Sequence, residues 1–259
     1  MIKRENIFVD IIMPNYNKEE FIEEAIKSVL KQSYKYWKLY IIDDNSRDKS
    51  RKILKKFRKN KKIKIIFLKK NKGPATCRNI GMSLSKSYYL SFLDSDDYWP
   101  KNKLSSQINF MNVNNVKFSY TDYMSFHKDN KNFLKRTNVP SIFNLKSFSR
   151  NSSINTSTMI LRRNIIKKVK FRNIQKHEDY IFKCEVFKKN KNLFAKKFNK
   201  THAYYRILKN SRSRNKLKSI YYLWKYNNEF NKFSFIDNML STLSISINSI
   251  KKYGFRMGV

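Results

Sequence analysis

Apolar positions alternate between two spacings along the first hundred residues. IFVDIIM (7–13), KLYIID (38–43), KIKIIFL (63–69) and YYLSFL (88–93) are short runs rich in β-branched and aromatic residues, and each predicts a strand. Between them the spacing turns helical. In KEEFIEEAIKSVLKQS (18–33) Phe21, Ile22, Ala25, Ile26, Val29 and Leu30 share one face, while Glu19, Glu20, Glu23 and Glu24 suit the positive N-terminal end of a helix. Further helices are predicted from Ser46 to Phe57 and from Pro74 to Ser85. Strand, helix, strand at this rhythm gives an α/β fold with a parallel, doubly wound sheet. Ligands of such sheets bind beyond the carboxyl ends of the strands, which here are PNYN (14–17), DDNS (43–46) and DSDD (94–97).

Beyond residue 100 the pattern loosens. KLSSQINFMNV (103–113) has helical spacing, VKFSYTDYMSF (116–126) alternates as strands do, and 128–153 reads as a loop-rich segment over the site. A strand is expected at 155–163, a helix at 177–190 with its acids in the first turn, and a strand at 193–207. From about 215 the tail is helical. Ile236, Met239, Leu240, Leu243, Ile247 and Ile250 form one stripe, with Lys251, Lys252 and Arg256 beyond it. A helix pair packed on the domain and a basic, aromatic-bearing hold on anionic lipid are equally good readings of this tail.

A chain of 259 residues suits one large domain with at most a small appendage, and its 41% hydrophobic content argues against disorder. The 57 Lys and Arg against 19 Asp and Glu leave a net charge of +38, alongside only four Gly and four Pro. An AT-rich genome produces that bias, so the charge says little beyond a surface that attracts anions. Cys77 and Cys184 have neither metal nor disulfide spacing, which suits a reducing compartment. Asp10 interrupts the first apolar run, which therefore reads as a strand and not a signal peptide. No run reaches the roughly 18 apolar residues of a membrane span. The expectation is a cytoplasmic protein, or one held peripherally on the inner face of the plasma membrane.

Against this basic background eight of the 19 acids sit in three patches: Asp43, Asp44 and Asp48; Asp94, Asp96 and Asp97; Glu178 and Asp179. Like charges repel, so a fold keeps them together mainly where cations or donors offset the cost. DSDD is either a solvated turn capping the next helix or a place where one or two carboxylates hold Mg²⁺ or Mn²⁺, completed by phosphates. Alone, the pattern does not choose. DDNS reads as a helix N-cap at Asn45 or Ser46, which leaves the doubled Asp43–Asp44 over. A carboxylate there can accept a hydrogen bond from a base or ribose, and Tyr16 is as apt to pack on the sheet edge as to stack on that base. NKGPATCRNIG (71–81) holds two of the four glycines but matches no phosphate loop. Its Arg78 either reaches a diphosphate or is one more exposed arginine. HED (177–179) alone is an ordinary helix start.

Taken in order, VDIIMPNYNKEEFIEEAIKSVLKQSY, YIIDDNSRDKS, NKGPATCRNIG, YYLSFLDSDDYWPKNKL, NTSTMILRR, KHEDYIFK and YYRILKNSRS resemble glycosyltransferase family 2, the inverting GT-A enzymes. The resemblance is collinear over nearly the whole chain. Within the family it points to enzymes that build bacterial surface polysaccharides such as teichuronic acid or O-antigen chains. It implies a GT-A domain over 1–212, with a nucleotide-sugar half (1–100) and an acceptor half (101–212), followed by a C-terminal helical extension over 213–259. It also implies roles. Pro14 and Tyr16 line the base, Asp44 bonds it, and Arg78 lies near the pyrophosphate. DSDD is the DxD element: Asp94 is its first acid, Asp96 lies near the ribose, and Asp97, with Asp96, holds the divalent cation (Mn²⁺ or Mg²⁺). Asp179 is the catalytic base, while Arg206 and Ser211 close over the diphosphate. Cys77 stands where alanine is commoner and removes no chemical group.

The implied reaction moves a sugar from a nucleotide-diphosphate sugar, UDP-linked, to a growing glycan or lipid-linked acceptor, and no nucleic-acid partner is expected. Two rivals remain at this point. A basic nucleic-acid-binding protein would interleave basic and aromatic residues on one face without an acidic pocket. A catalytically inactive relative that only binds sugar nucleotides would lack some of the acids.

Overall fold

The computed structural model describes residues 7–127, 130–137, 139–208 and 216–253. Its first half follows the alternation of the sequence: β1 (Val9–Asn15), α1 (Ile22–Leu30), β2 (Trp37–Asp43), α2 (Ser50–Lys56), β3 (Ile63–Phe67), α3 (Gly73–Leu84) and β4 (Tyr89–Phe92). All seven residues of β1 are buried, as expected of a strand with both faces covered. β1 pairs in parallel with β2 on one side and β4 on the other, so the strand order reverses at β1. The crevice outside the carboxyl ends of β1 and β4 is therefore the ligand position of the sheet. Pro14 fits in β1 because of where β4 stops. The β1–β4 ladder ends at Ile12, whose carbonyl accepts from the Leu93 N–H. Pro14 faces the same side two residues on, where no donor is required.

The second half contributes α4 (Lys103–Val113), β5 (Phe118–His127), β6 (Asn130–Thr137), β7 (Ile142–Phe143) and α5 (Leu145–Ser149). A 3₁₀ turn (Thr156–Thr158), β8 (Ile160–Arg162), α6 (Glu178–Lys189) and β9 (Ala195–Ile207) follow. The chain then forms α7 (Lys216–Tyr226), a π turn (Asn227–Asn231) and α8 (Phe235–Tyr253). Strand order is β3-β2-β1-β4-β8-β5-β9-β7, with β6 paired to β5. The sheet is parallel from β3 to β4 and mixed beyond, because β8 enters antiparallel to both β4 and β5 while β5 and β9 run parallel. This is the GT-A architecture with a C-terminal helical segment.

Three expectations shift. The first two helices start at Ile22 and Ser50 instead of 18 and 46, since the residues before them are taken up in bonds between loops. The segment 128–153 is not a plain loop but carries β6, β7 and α5. The run at 155–163 divides, because Asn155 accepts from the Ser157 N–H and turns the chain before β8 begins.

Two packing details position the site. Phe92 of β4 meets Phe171 and Phe182, which stack on one another at 3.9 Å, so α6 is pressed against the sheet with its N-terminus at the β4 end. On the same face of the sheet, beside α6, α3 approaches β1 at Gly81. A Cβ there would lie 2.5 Å from Ile12 Cγ2 and 3.2 Å from Ile42 Cδ1. Gly81→Ala is expected to destabilise the fold by about 1–3 kcal/mol, the usual cost of overpacking, which urea denaturation would measure.

Candidate active site

The first two loops are bonded to each other. The Asp44 N–H donates to the Asn15 carbonyl (2.8 Å), the Asn17 N–H to Ser46 Oγ (3.0 Å) and the Glu19 N–H to Asp48 Oδ2 (2.9 Å). Asn17 and Asn45 adopt left-handed backbone (φ 50° and 62°), which Asn tolerates better than most residues. The expected cap at Asn45 or Ser46 is corrected by these bonds: Asp48 accepts from the Ser50 N–H at 2.9 Å and starts α2. Asp43 is fully buried under Arg51 Nε (2.7 Å) and Asn15 Nδ2 (2.9 Å).

Asp44, also buried, accepts from the N–H groups of Lys72 (2.7 Å) and Gly73 (2.8 Å). Gly73 has φ +83°, a conformation that favours glycine, so this carboxylate and this glycine together set the turn into α3. The Cys77 thiol is buried, and burial and then Asp44 push it up. Tyr16 stands exposed at the rim, while Pro14 is buried behind it.

The DSDD loop follows β4. The Asp97 N–H closes it onto the Asp94 carbonyl (3.0 Å). Its three acids have separate partners. Asp94 Oδ1 accepts from Arg78 Nη2 (2.8 Å), and Asp96 Oδ2 is paired with Lys18 Nζ (2.8 Å). Asp97 is buried, with Oδ2 accepting from Ser157 Oγ (2.7 Å) and Oδ1 from the Arg206 N–H (3.1 Å). Burial, followed by Asp96 and Asp94, pushes the Asp97 carboxyl well above the usual carboxylate range, against the pull of Ser157 and Arg206. Negative charge is thus in excess at this loop.

Arg78 is not exposed. Its guanidinium is buried between Asp94 and Glu178 Oε1 (3.4 Å to Nη1) and lies 5.3 Å from the centre of the Phe171 ring. Burial alone would depress its pKa, but Asp94 and then Glu178 outweigh it and raise it. One arginine therefore ties the DSDD loop to the start of α6.

Asp179 lies in the first turn of α6, which the chain enters through His177 in left-handed backbone (φ 60°). His177 is held by Ser219 of α7, 2.9 Å from Nε2. Asp179 Oδ2 accepts from Lys183 Nζ (2.7 Å) and from Thr156 Oγ1 (3.3 Å). The Asp179 side chain is 41% exposed whereas that of Lys183 is 1% exposed, so the carboxylate opens to the cleft and its cation does not. Desolvation tends to raise the Asp179 pKa, but Lys183, then Arg78 and His177, pull it well below the usual carboxylate range.

Arg206 does not lie free over the crevice. Its guanidinium sits between the rings of Phe21 and Phe126, 4.6 Å from each centre, donates from Nε to the Asp96 carbonyl (3.0 Å) and pairs with Glu24. It clamps β9 to the DSDD loop. Ser211, and the boundary between 212 and 213, lie outside the described residues. Four residues without an assigned role in the sequence prove central: Lys18, Thr156, Ser157 and Lys183. Thr156 and Ser157 are neighbours in one turn, and they hold the two acid clusters, Asp179 and Asp97, from a single short segment. Only the NTST string hinted at them.

The donor set fits a divalent cation. Three carboxylates lie within four positions, and a lysine ammonium already rests on Asp96. Among the described residues no three His, Cys, Asp or Glu side chains converge as a ready-made metal cage. A cation bound here would take part of its ligands from phosphate oxygens, as Mg²⁺ commonly does.

A family model described as glycosyl transferase family 2 matches residues 10–170. The putative teichuronic acid biosynthesis glycosyltransferase TuaG of Bacillus subtilis is 31% identical over 94% of this chain and 96% of its own length. The Escherichia coli UDP-Glc:alpha-D-GlcNAc-diphosphoundecaprenol beta-1,3-glucosyltransferase WfgD is 32% identical over 97% of each chain. Among solved structures, Staphylococcus aureus TarS (1–349) with UDP-GlcNAc aligns with a TM-score of 0.71 at 18% identity, over 97% of this chain and 76% of that one. The Pyrobaculum calidifontis mannosyltransferase PcManGT, solved with GDP-Man and Mn²⁺, aligns with a TM-score of 0.66 at 12% identity, over 97% and 76%. With its acids gathered at the switch point of a GT-A sheet and more than half its length matched by the family model, the chain belongs to glycosyl transferase family 2.

Proposed function

We propose that this glycosyltransferase moves a hexose from a UDP-sugar to a lipid-linked or growing glycan acceptor in cell-surface polysaccharide assembly. The observation that carries it is the convergence of Asp94, Asp96 and Asp97 with Glu178 and Asp179 through Arg78 and the Thr156–Ser157 pair. TuaG and WfgD, alike over nearly their full lengths, support the pathway and the donor. Residues 1–100 hold the donor and 101–212 the acceptor. The two buried free thiols suit the cytoplasmic side of the membrane.

In this reading the base lies at Pro14, Tyr16 and Asp44. Asn15 Oδ1, buried there with no hydrogen-bond donor among the described residues, offers an acceptor for a nucleobase N–H. Asp96, partnered by Lys18, and Asp97, whose two oxygens accept from Ser157 and the Arg206 N–H, would hold a Mn²⁺ or Mg²⁺ ion, with Asp96 the more accessible of the two. The bound cation would neutralise charge on the diphosphate leaving group. Asp179 takes the proton of the acceptor hydroxyl as that oxygen bonds to the anomeric carbon. The anomeric carbon–phosphate oxygen bond breaks, its electron pair leaves with UDP, and the configuration inverts. The ionised state of Asp179, kept by Lys183, leaves it ready to accept.

Thermal shift with UDP-sugars and Mn²⁺ tests the donor half, because a ligand that binds only the native state raises its midpoint. Wild type is expected to show a Mn²⁺-dependent shift, and Asp96→Asn to bind donor roughly tenfold more weakly, about 1.4 kcal/mol. No shift with any UDP-sugar would remove the proposal. An unchanged Asp96→Asn response would move the cation elsewhere.

A further inference from the structure

The last helix is packed the wrong way round for a helix that only completes a core. Along α8 the buried side chains are the polar Asn238, Ser241 and Thr242, with Ile245 partly buried against the core. Asn238 Nδ2 donates to the Trp224 carbonyl and to Asn228 Oδ1 (both 3.1 Å), Ser241 Oγ to the Ser149 carbonyl (2.6 Å), and Thr242 is buried beside them. The apolar stripe faces out: Phe235 is 71% exposed, Ile236 63%, Leu243 55% and Ile247 50%. Rotating the helix to bury that stripe would take the donors away from the acceptors they serve, such as the Ser149 carbonyl, a cost that offsets part of the burial gained. The orientation is therefore fixed by hydrogen bonds. α7 continues the surface, with Leu217 and Tyr221 exposed and Trp224 in edge contact with Phe235.

Charge selects the occupant. Residues 216–253 carry Lys216, Lys218, Lys225, Lys232, Lys251 and Lys252 against only Glu229 and Asp237. Asp237 is already paired with Arg150. A second copy of a +38 chain docked here would bring a second set of six lysines to a segment that already carries six. An anionic bilayer attracts them while receiving the apolar side chains, the arrangement of interfacial amphipathic helices. Among the described residues no helix is long and apolar enough to cross a membrane.

We infer that the outward face of α7 and α8 is a docking surface for anionic lipid bilayers, with Phe235, Ile236, Leu243 and Ile247 entering the interface. The same two helices hold the catalytic turn. α7 bonds His177 through Ser219, and Ser241 of α8 lies 3.4 Å from the Tyr180 hydroxyl, on either side of Asp179. Docking therefore engages the two helices that brace the Asp179 turn, and a lipid-linked acceptor would reach Asp179 from the same bilayer. That last consequence rests on the proposed function, whereas the docking itself does not.

The test is flotation of the full chain with phosphatidylglycerol-containing vesicles and with phosphatidylcholine vesicles at physiological salt, for wild type and a Leu243→Glu/Ile247→Glu double variant. Thermal melting of the variant and size-exclusion chromatography of both proteins accompany it. Wild type is expected to float with the anionic vesicles at least tenfold more than with neutral ones, and the variant to stay behind. The variant should melt with wild type, since both substituted side chains are exposed, and should keep transfer to a short water-soluble acceptor. Ile236→Glu provides a second variant if the double one melts early. Wild type left in the soluble fraction, or variants that float as well as wild type, would overturn the inference. So would a wild-type dimer that the variants convert to monomer, which would make the face a self-association surface. Failure of transfer in all proteins with normal flotation would count against the proposed function alone.

Discussion

Asp179→Asn is expected to lower kcat by about 10²–10⁴-fold, the usual contribution of a positioned general base, while Kd for a UDP-sugar changes less than twofold. The amide keeps an oxygen for Lys183 and Thr156, so the turn should survive and the loss should be chemical. The pH profile sharpens the test. Lys183, Arg78 and His177 hold Asp179 below the ordinary carboxylate range, so it stays ionised well below pH 4, and the acid limb of kcat/KM should not appear above that pH. Lys183→Met removes the largest of those charges, and the limb should move upward in pH. An Asp179→Asn enzyme with full activity, or a Lys183→Met enzyme with an unmoved acid limb, would take the base assignment away from Asp179.

The second large effect concerns stability. Arg78→Met leaves Asp94 and Glu178 facing each other without their shared cation. Breaking a buried pair by removing one partner costs about 3–5 kcal/mol. Asp94 is partly exposed, and solvent screening there argues for the lower end, about 3 kcal/mol. For a chain of this size that corresponds to a midpoint lowered by roughly 6–12 °C. Arg78→Lys keeps the charge but loses the fork that reaches both carboxylates, and should fall between wild type and Arg78→Met. Melting curves that coincide for all three proteins would show that the guanidinium does not tie the loop to α6.

Asp179 and Lys183 are four residues apart on one helix, but the Arg78 prediction depends on contacts across long stretches of chain, which leave no local mark in the sequence. The acids themselves were conspicuous, eight of 19 in three patches of a basic chain. Their partners were not. Arg78 and Glu178 are 100 residues apart, Asp97 and Ser157 are 60, and Arg206 and Asp96 are 110. No periodicity relates such positions, so an arginine among 57 basic residues, or a threonine in NTST, carries no local mark of its role. The doubled Asp43–Asp44 drew attention for ligand contact, and the structure shows what each does in the free protein: Asp43 secures Arg51, and Asp44 secures the turn at Gly73. The reading of Arg206 as a cover for the diphosphate met a guanidinium already held by Phe21, Phe126, Glu24 and the Asp96 carbonyl.

What the sequence determined by itself was the parallel half of the sheet and the edge at which the site lies. β1 to β4 are short apolar runs separated by helices, and burial of β1, β2 and β4 on both faces follows from their composition, with β3 at the edge only partly covered. The tertiary structure decided which partner each carboxylate meets, because that depends on donors delivered by α3, α6, β9 and the Thr156–Thr158 turn. It also decided the facing of α8. The hydrophobic stripe from Ile236 to Ile250 was legible, yet a stripe specifies only that one face is apolar. Hydrogen bonds from Asn238 and Ser241 to a surface built elsewhere in the chain turned the polar face inward, leaving the apolar one toward solvent.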